Sequence, residues 1–242
     1  LDGSRLARLQ RNLGFARDAA DEYVWIYGEQ CRWWGPRRDL PDTAGQGRLW
    51  EEAMPGIKRA IAYVRDPVAA AKGELSDLRK SGQLENLAEN PEFREPASPQ
   101  PGSLPADFGA WQDDKTSAGQ FTWDADLGDG SGRATKVKWG CFLQSLEVQP
   151  GEQYAVEVSC RSRGNTQPTL VIRWQTADNR WTQEQLDQTF PFEAGEGQWQ
   201  QAFGVVTVPE EVGRLVVLLS VRGQVTEEDT CWFDNLGVYR LS

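Results

Sequence analysis

Eleven tryptophans and no histidine set the chemistry open to this chain. Without histidine, imidazole-based triads, His general bases and His-ligated metals are excluded. The four cysteines, Cys31, Cys141, Cys160 and Cys231, lack the short paired spacings of a zinc site and are too few for a disulfide scaffold. What remains is recognition by flat rings and planar polar groups. Seven tryptophans lie beyond residue 100: Trp111, Trp123, Trp139, Trp174, Trp181, Trp199 and Trp232. Most belong in a core or interface, where indole buries a large apolar area. Trp181 follows an Asp178-Asn179-Arg180 turn, and it and Trp111 are the preferred exposed stacking candidates. Strict alternation puts Leu170, Ile172 and Trp174 on one face, the core side, and Arg173 and Gln175 on the other. Gln144, Glu157 and Arg161 are candidates to join that polar face. Such an array suits a ring with an apolar C–H face and equatorial hydroxyls; it is also what plain solvated surface looks like.

These side chains need strands to hold them. From Leu84 onward the pattern is one of short alternating runs: Gln120–Trp123, Thr135–Val148, Gln153–Arg161, Thr169–Thr176, Gln200–Val208, Leu215–Val221 and Cys231–Tyr239. Turn signals punctuate them, among them Asp129-Gly130, Pro150-Gly151, Arg163-Gly164-Asn165 and Val212-Gly213. Many short strands at regular spacing predict an all-β sandwich or barrel. If Pro150-Gly151 is a tight turn, Cys141 and Cys160 fall opposite each other, either as a disulfide or as two buried thiols. Residues 91–105, rich in Pro and Ser, read as an early loop of the sandwich.

The first 82 residues read differently, as an αβα segment. Ser4 caps a helix over Arg5–Ala20, and Tyr23-Val24-Trp25-Ile26-Tyr27 is a short apolar run expected to be a strand covered on both faces. Helices follow near Leu49–Val64 and Val68–Lys80, with Asp66-Pro67 between them and Ser81-Gly82 as the stop. One doubly covered strand needs neighbours in a sheet, and this segment offers none. It is therefore expected to be the end of a larger α/β domain or a piece docked on something else. The predicted fold class is mainly β: a sandwich over residues 83–242 with an N-terminal αβα segment over residues 1–82.

Charge narrows the partners. Residues 1–80 carry 14 Lys/Arg against 12 Asp/Glu, whereas residues 81–242 carry 12 against 24. An acidic surface repels phosphate backbones and anionic membranes, so nucleic acid and membrane are not expected as partners. No apolar run is long enough to cross a bilayer as a helix.

Four stretches of the C-terminal part resemble, in order, carbohydrate-binding modules of families 4, 9 and 22, within the galactose-binding-like jelly rolls. Asn86-Leu87-Ala88-Glu89-Asn90-Pro91-Glu92-Phe93 is similar to the opening strand, and Gln144 to Tyr154 to the central hairpin with its Pro150-Gly151. Trp199 with Thr207-Val208-Pro209, and the closing Trp232-Phe233-Asp234-Asn235-Leu236, complete the set. The resemblance implies a jelly roll, a concave sugar-binding face, and a polysaccharide or oligosaccharide as partner. It also implies a structural calcium, with Asp234 as a carboxylate ligand. Arg94 stands where the family has an acidic residue, so Glu95, one position on, would serve, helped by Asp113 or Asp114. The alternative is that Asp234 simply hydrogen-bonds the opening loop.

The N-terminal part, with Tyr23 to Glu29, Trp33-Trp34 and Trp50 to Gly56, is similar to the last strand and helix of a glycoside-hydrolase (β/α)8 barrel. Glu29 would then stand at the catalytic rim of such a barrel. Hydrolysis ordinarily takes two carboxyl groups flanking one bond, and one strand end supplies at most one. Glu29 is thus a weak catalytic candidate, with capping or pairing to Arg32 as the other reading. The isolated chain is expected not to be catalytic, and an upstream catalytic domain, a glycoside hydrolase, is the implied partner. A secreted or periplasmic location is expected. A rival role for the sandwich is to brace that catalytic domain without binding sugar.

Overall fold

The computed structural model describes residues 5–26, 31–33, 48–113, 115, 118–127, 129–192 and 197–241. The chain divides into two compact units, Leu1–Asp77 and Leu78–Ser242.

The first unit is helical: α1 (Arg5–Ala19), α2 (Trp50–Ala53), α3 (Ile57–Arg65) and the start of α4 (Pro67–Ser81). Leu13, Ile57, Ala60, Tyr63, Ala71 and Leu75 are its buried side chains. Glu74 gathers the polar contacts, accepting from Tyr63 Oη at 2.8 Å and Arg59 Nε at 3.0 Å, while the Arg59 guanidinium lies 4.7 Å from the Tyr63 ring centre. The strand of this αβα segment is not where the apolar run predicts it. It is the two-residue β1 (Cys31–Arg32), paired parallel with β2 (Arg48–Leu49). Tyr23–Ile26 lies outside any helix or strand, with Tyr23 85 % and Trp25 94 % exposed. A doubly covered strand requires partners on both edges and both faces, and the described residues provide none. Tyr27, Glu29, Trp34 and the Ser4 cap lie outside the described residues.

The second unit is a jelly-roll β-sandwich of two five-stranded antiparallel sheets. One has the order β10-β7-β12-β5-β4, built from β10 (Trp199–Thr207), β7 (Gln153–Arg163), β12 (Thr230–Leu241), β5 (Ser131–Thr135) and β4 (Gln120–Asp124). The other has the order β3-β6-β11-β8-β9, built from β3 (Gly109–Gln112), β6 (Trp139–Glu147), β11 (Arg214–Arg222), β8 (Gln167–Gln175) and β9 (Gln188–Pro191). Alternation builds the core between them. Leu170, Ile172 and Trp174 of β8 are fully buried, as are Leu215, Leu219 and Val221 of β11 and Phe142 of β6. They meet Val156, Val158 and Cys160 of β7 and Phe233 of β12 in one cluster.

The run Thr135–Val148, predicted as one strand, is two strands in different sheets. The chain crosses over at Lys136, whose φ of 60° is left-handed. Gln224 holds the crossing open, its fully buried side chain accepting from Val137 N at 2.8 Å and donating to Ala134 O at 3.2 Å. Because β6 and β7 enter different sheets, Cys141 and Cys160 are not strand neighbours. Cys160 lies beside Cys231 in the core, where burial and the second thiol push it well above the usual thiol range.

Asp229 ties the β7–β8 loop to the segment before β12. Its carboxylate accepts from Thr226 N (2.7 Å), Val225 N (2.9 Å) and Asn165 N (2.8 Å). Gly164 makes room for it at φ +71°, since a Cβ there would sit 2.5 Å from Asp229 Oδ1. These amides, Thr226 first, hold the Asp229 carboxyl down to about 2, against 3.8 in an unperturbed chain. A depressed acid stabilises the fold fully above the unfolded value, and that contribution fades as the pH falls through the folded one. Asp229→Asn is therefore expected to melt below wild type at pH 7, with the gap closing towards pH 2 in a series of thermal melts.

Candidate functional site

The outer face of the β3-β6-β11-β8-β9 sheet carries a groove of about 780 Å³. Its floor follows from alternation opposite the core residues: Cys141 and Leu143 of β6, Leu218 and Ser220 of β11, Val171 of β8 and Thr189 of β9. Small and aliphatic side chains keep that floor low. Aromatic walls rise on two sides. On one, Trp111 of β3 and Trp139 of β6 meet edge to face, with ring centres 5.3 Å apart. Gly140 lets β3 lie close, because a Cβ there would come within 2.7 Å of Trp111 O. On the other, Trp181 stands on the loop after β8. The three rings are 46 %, 43 % and 49 % exposed, respectively.

The Trp181 loop is held by its neighbours. Asn179 turns it at φ 63°, and Thr182 N returns to Trp174 O at 3.1 Å. The Trp174 indole, buried in the core, donates to Leu186 O at 2.9 Å. That bond anchors the short 3-10 turn Glu184–Leu186 and so places Asp187. Arg173 lies between loop and strand, its guanidinium 4.6 Å from the Trp181 ring centre and its Nε 2.8 Å from Asp187 Oδ2. The contact is an ion pair without hydrogen-bond geometry: Arg173 Nε and Asp187 Oδ1 are both buried with no hydrogen-bond partner. Burial pushes the Asp187 carboxyl up, opposed by Arg173. At the groove's other end the Arg222 guanidinium lies 5.1 Å from the Trp139 ring centre.

Of the residues proposed from sequence, Trp111, Trp181 and Arg173 line this one groove. Gln175 shares the sheet face, at the end of β8 where it bridges Trp181. Gln144 does not share it. It points to the core side of β6, and its amide donates to Glu89 O and accepts from Glu89 N, both at 2.9 Å, fastening the opening loop. Glu157 and Arg161 belong to β7, in the opposite sheet. Glu157 accepts from Gln201 Nε2 at 3.0 Å, and Arg161 lies in register between Trp199 and Trp232. Alternation gives a side chain's phase within its own strand; it does not say in which sheet that strand ends up. Trp139, Asp187 and Arg222 are groove residues that the sequence reading left out. Trp139 and Arg222 sit at strand ends that are in phase with Cys141 and Ser220, a signal that was available; Asp187 lies on an irregular loop, which carries none.

Asp234 and Glu95, the two proposed calcium ligands, lie in different surroundings. The Asp234 carboxylate accepts from Asn235 N at 2.7 Å. Burial pushes its pKa up, and Glu92 and Asp129 add to this while Arg94 opposes it. Glu95 is exposed, and its backbone is bonded to the Asn90 side chain. Arg94 pairs with Glu92 at 2.5 Å and stands 3.9 Å from Asp129, placing a fixed cation among these carboxylates. Calcium takes six to eight oxygens, and among the described residues no three acidic or thiol groups are gathered for a metal. Asp114 lies outside the described residues. Thermal melts with chelator and then with added calcium test the calcium expectation: a rise with calcium supports it, and no change removes it.

No protein-family model matches the chain, and no curated protein does. Among solved structures the chain is similar to the enzymatically active domain of bacteriophage CBA120 tailspike protein 4, at 15 % identity and TM-score 0.49, over 64 % of this chain and 21 % of that one. It is also similar to a CBM4 structure, at 22 % identity and TM-score 0.44, over 63 % of this chain and 99 % of that one. A third is TmCBM61 in complex with beta-1,4-galactotriose, at 16 % identity and TM-score 0.43, over 65 % and 99 % of the two chains.

Proposed function

We propose that the sandwich binds a polysaccharide or oligosaccharide in the groove between Trp111/Trp139 and Trp181, without catalysing a reaction on it. The observation that carries this reading is the set of three half-exposed indoles, Trp111, Trp139 and Trp181, on two walls of one groove. A sugar ring can lay its C–H face on an indole while its hydroxyls reach the polar side chains of the groove, among them Ser220, Thr189 and Glu184. The floor offers apolar contact from Leu143, Val171 and Leu218 beside the hydroxyls of Thr189 and Ser220. Two walls with open ends suit a chain lying along the groove.

Binding would keep an attached partner near its polysaccharide. The resemblance of the first unit to the end of a glycosidase barrel supports a catalytic domain as that partner. Affinity electrophoresis against a polysaccharide panel tests the binding reading: retardation by at least one polymer is expected, and its loss in Trp181→Ala. No retardation by any polymer would reject glycan binding and favour the bracing role.

A further inference from the structure

The groove is electrically asymmetric, and that asymmetry bears on which sugar it takes. Its two carboxylates, Glu184 and Asp187, are both on the Trp181 loop, where Arg173 faces Asp187. The opposite wall holds one charge, Arg222. In the sheet register Arg222 lies between Trp139 and Gln167, one row from Trp111, Cys141 and Ser220. Its guanidinium rests on the Trp139 ring at 5.1 Å. It is exposed, and among the described residues its side-chain contact is with the Trp139 ring.

Residues 81–242 carry twice as many acidic as basic side chains. An arginine in such surroundings, lying flat on an indole at the lip of a groove, presents its fork of N–H donors to whatever lies on the neighbouring ring. Resting on indole leaves the guanidinium edge open for bidentate contact with a planar anion. We infer that Arg222 binds the carboxylate of a uronosyl unit, so that the ligand is an acidic glycan with a charged sugar at the Trp111/Trp139 end and a neutral one against Trp181. This rests on the glycan-binding reading and deepens it.

Two lengths decide what kind of acidic glycan: the screening length, and the six residues of β11, roughly 20 Å, that separate Arg222 from Val216, the register partner of Arg173. At physiological ionic strength charges are screened over about 8 Å, so one carboxylate beside Arg222 feels mainly that cation. A polymer charged on every ring would also feel Glu184, Asp187 and the acidic surface beyond. The matching ligand is therefore sparsely substituted.

The test compares sparsely uronosylated polysaccharides (glucuronoxylan, gum arabic and xanthan) with their carboxyl-reduced forms, in which only the charge is removed. Affinity electrophoresis or calorimetry on the full chain reads the difference. At least one acidic polymer is expected to bind about tenfold more tightly than its reduced form, the size of one charge-assisted bidentate contact. Arg222→Gln should erase that preference, and added salt should weaken it. Equal binding of acidic and reduced forms, or a preference that survives Arg222→Gln, overturns the inference and leaves neutral-glycan binding standing. Retention of no polymer, acidic or neutral, overturns both readings together.

Discussion

Trp181→Ala is expected to weaken glycan binding by about 2 kcal/mol or more, the loss typical of a central aromatic anchor, which is roughly 30-fold in affinity. The effect has two parts. The indole face is lost as a stacking surface, and the Arg173 guanidinium loses the ring it lies on. The fold should be untouched, because Trp181 is half exposed and outside the core cluster. Trp181→Phe should recover much of the affinity. A Trp181→Ala variant that melts as wild type and binds as wild type would remove Trp181 from the site.

The largest effect on stability is expected at Trp174, which is fully buried near the C-terminal end of β8. Trp174→Ala leaves a cavity between the sheets and should cost about 3–5 kcal/mol, a large share of the 5–15 kcal/mol that holds a typical domain folded. Denaturant unfolding followed by tryptophan fluorescence of the remaining indoles measures it. Trp174→Phe separates packing from tethering. It keeps most of the volume but removes the donor to Leu186 O, a bond worth about 1 kcal/mol. Because that bond holds the Glu184–Leu186 turn, the Phe variant should lose affinity while staying folded. Full affinity in a folded Trp174→Phe protein would show that the loop keeps its position without the tether.

How far each feature could be read from the chain depends on whether its cause is local. Leu170, Ile172 and Trp174 face the core as their alternation requires, because a pleated strand turns every second side chain to one side. Phase does not determine neighbours. Gln144 was grouped with Arg173 on polarity, yet its own strand turns it inward, where it satisfies the Glu89 amide and carbonyl. The break at Lys136 carries no Gly, Pro or Asn; its left-handed turn is imposed by Gln224, far along the chain, reaching across to Val137. Tyr23–Ile26 shows the converse. Apolar composition alone makes no strand where the described residues bring no partner edge.

The absence of histidine, the acidic balance of residues 81–242 and the mainly β architecture were properties of the sequence itself, since each follows from composition or from a repeat of two. The groove was decided only by tertiary structure. Trp111 and Trp181, 70 residues apart, become opposite walls because β3 is one edge of the sheet and the loop that joins β8 to the other edge strand, β9, carries Trp181. Asp187 becomes a buried, unsatisfied acceptor because the Trp174 indole draws its loop down over Arg173. Both depend on sheet order and on long-range hydrogen bonds, and neither leaves a local mark on the chain.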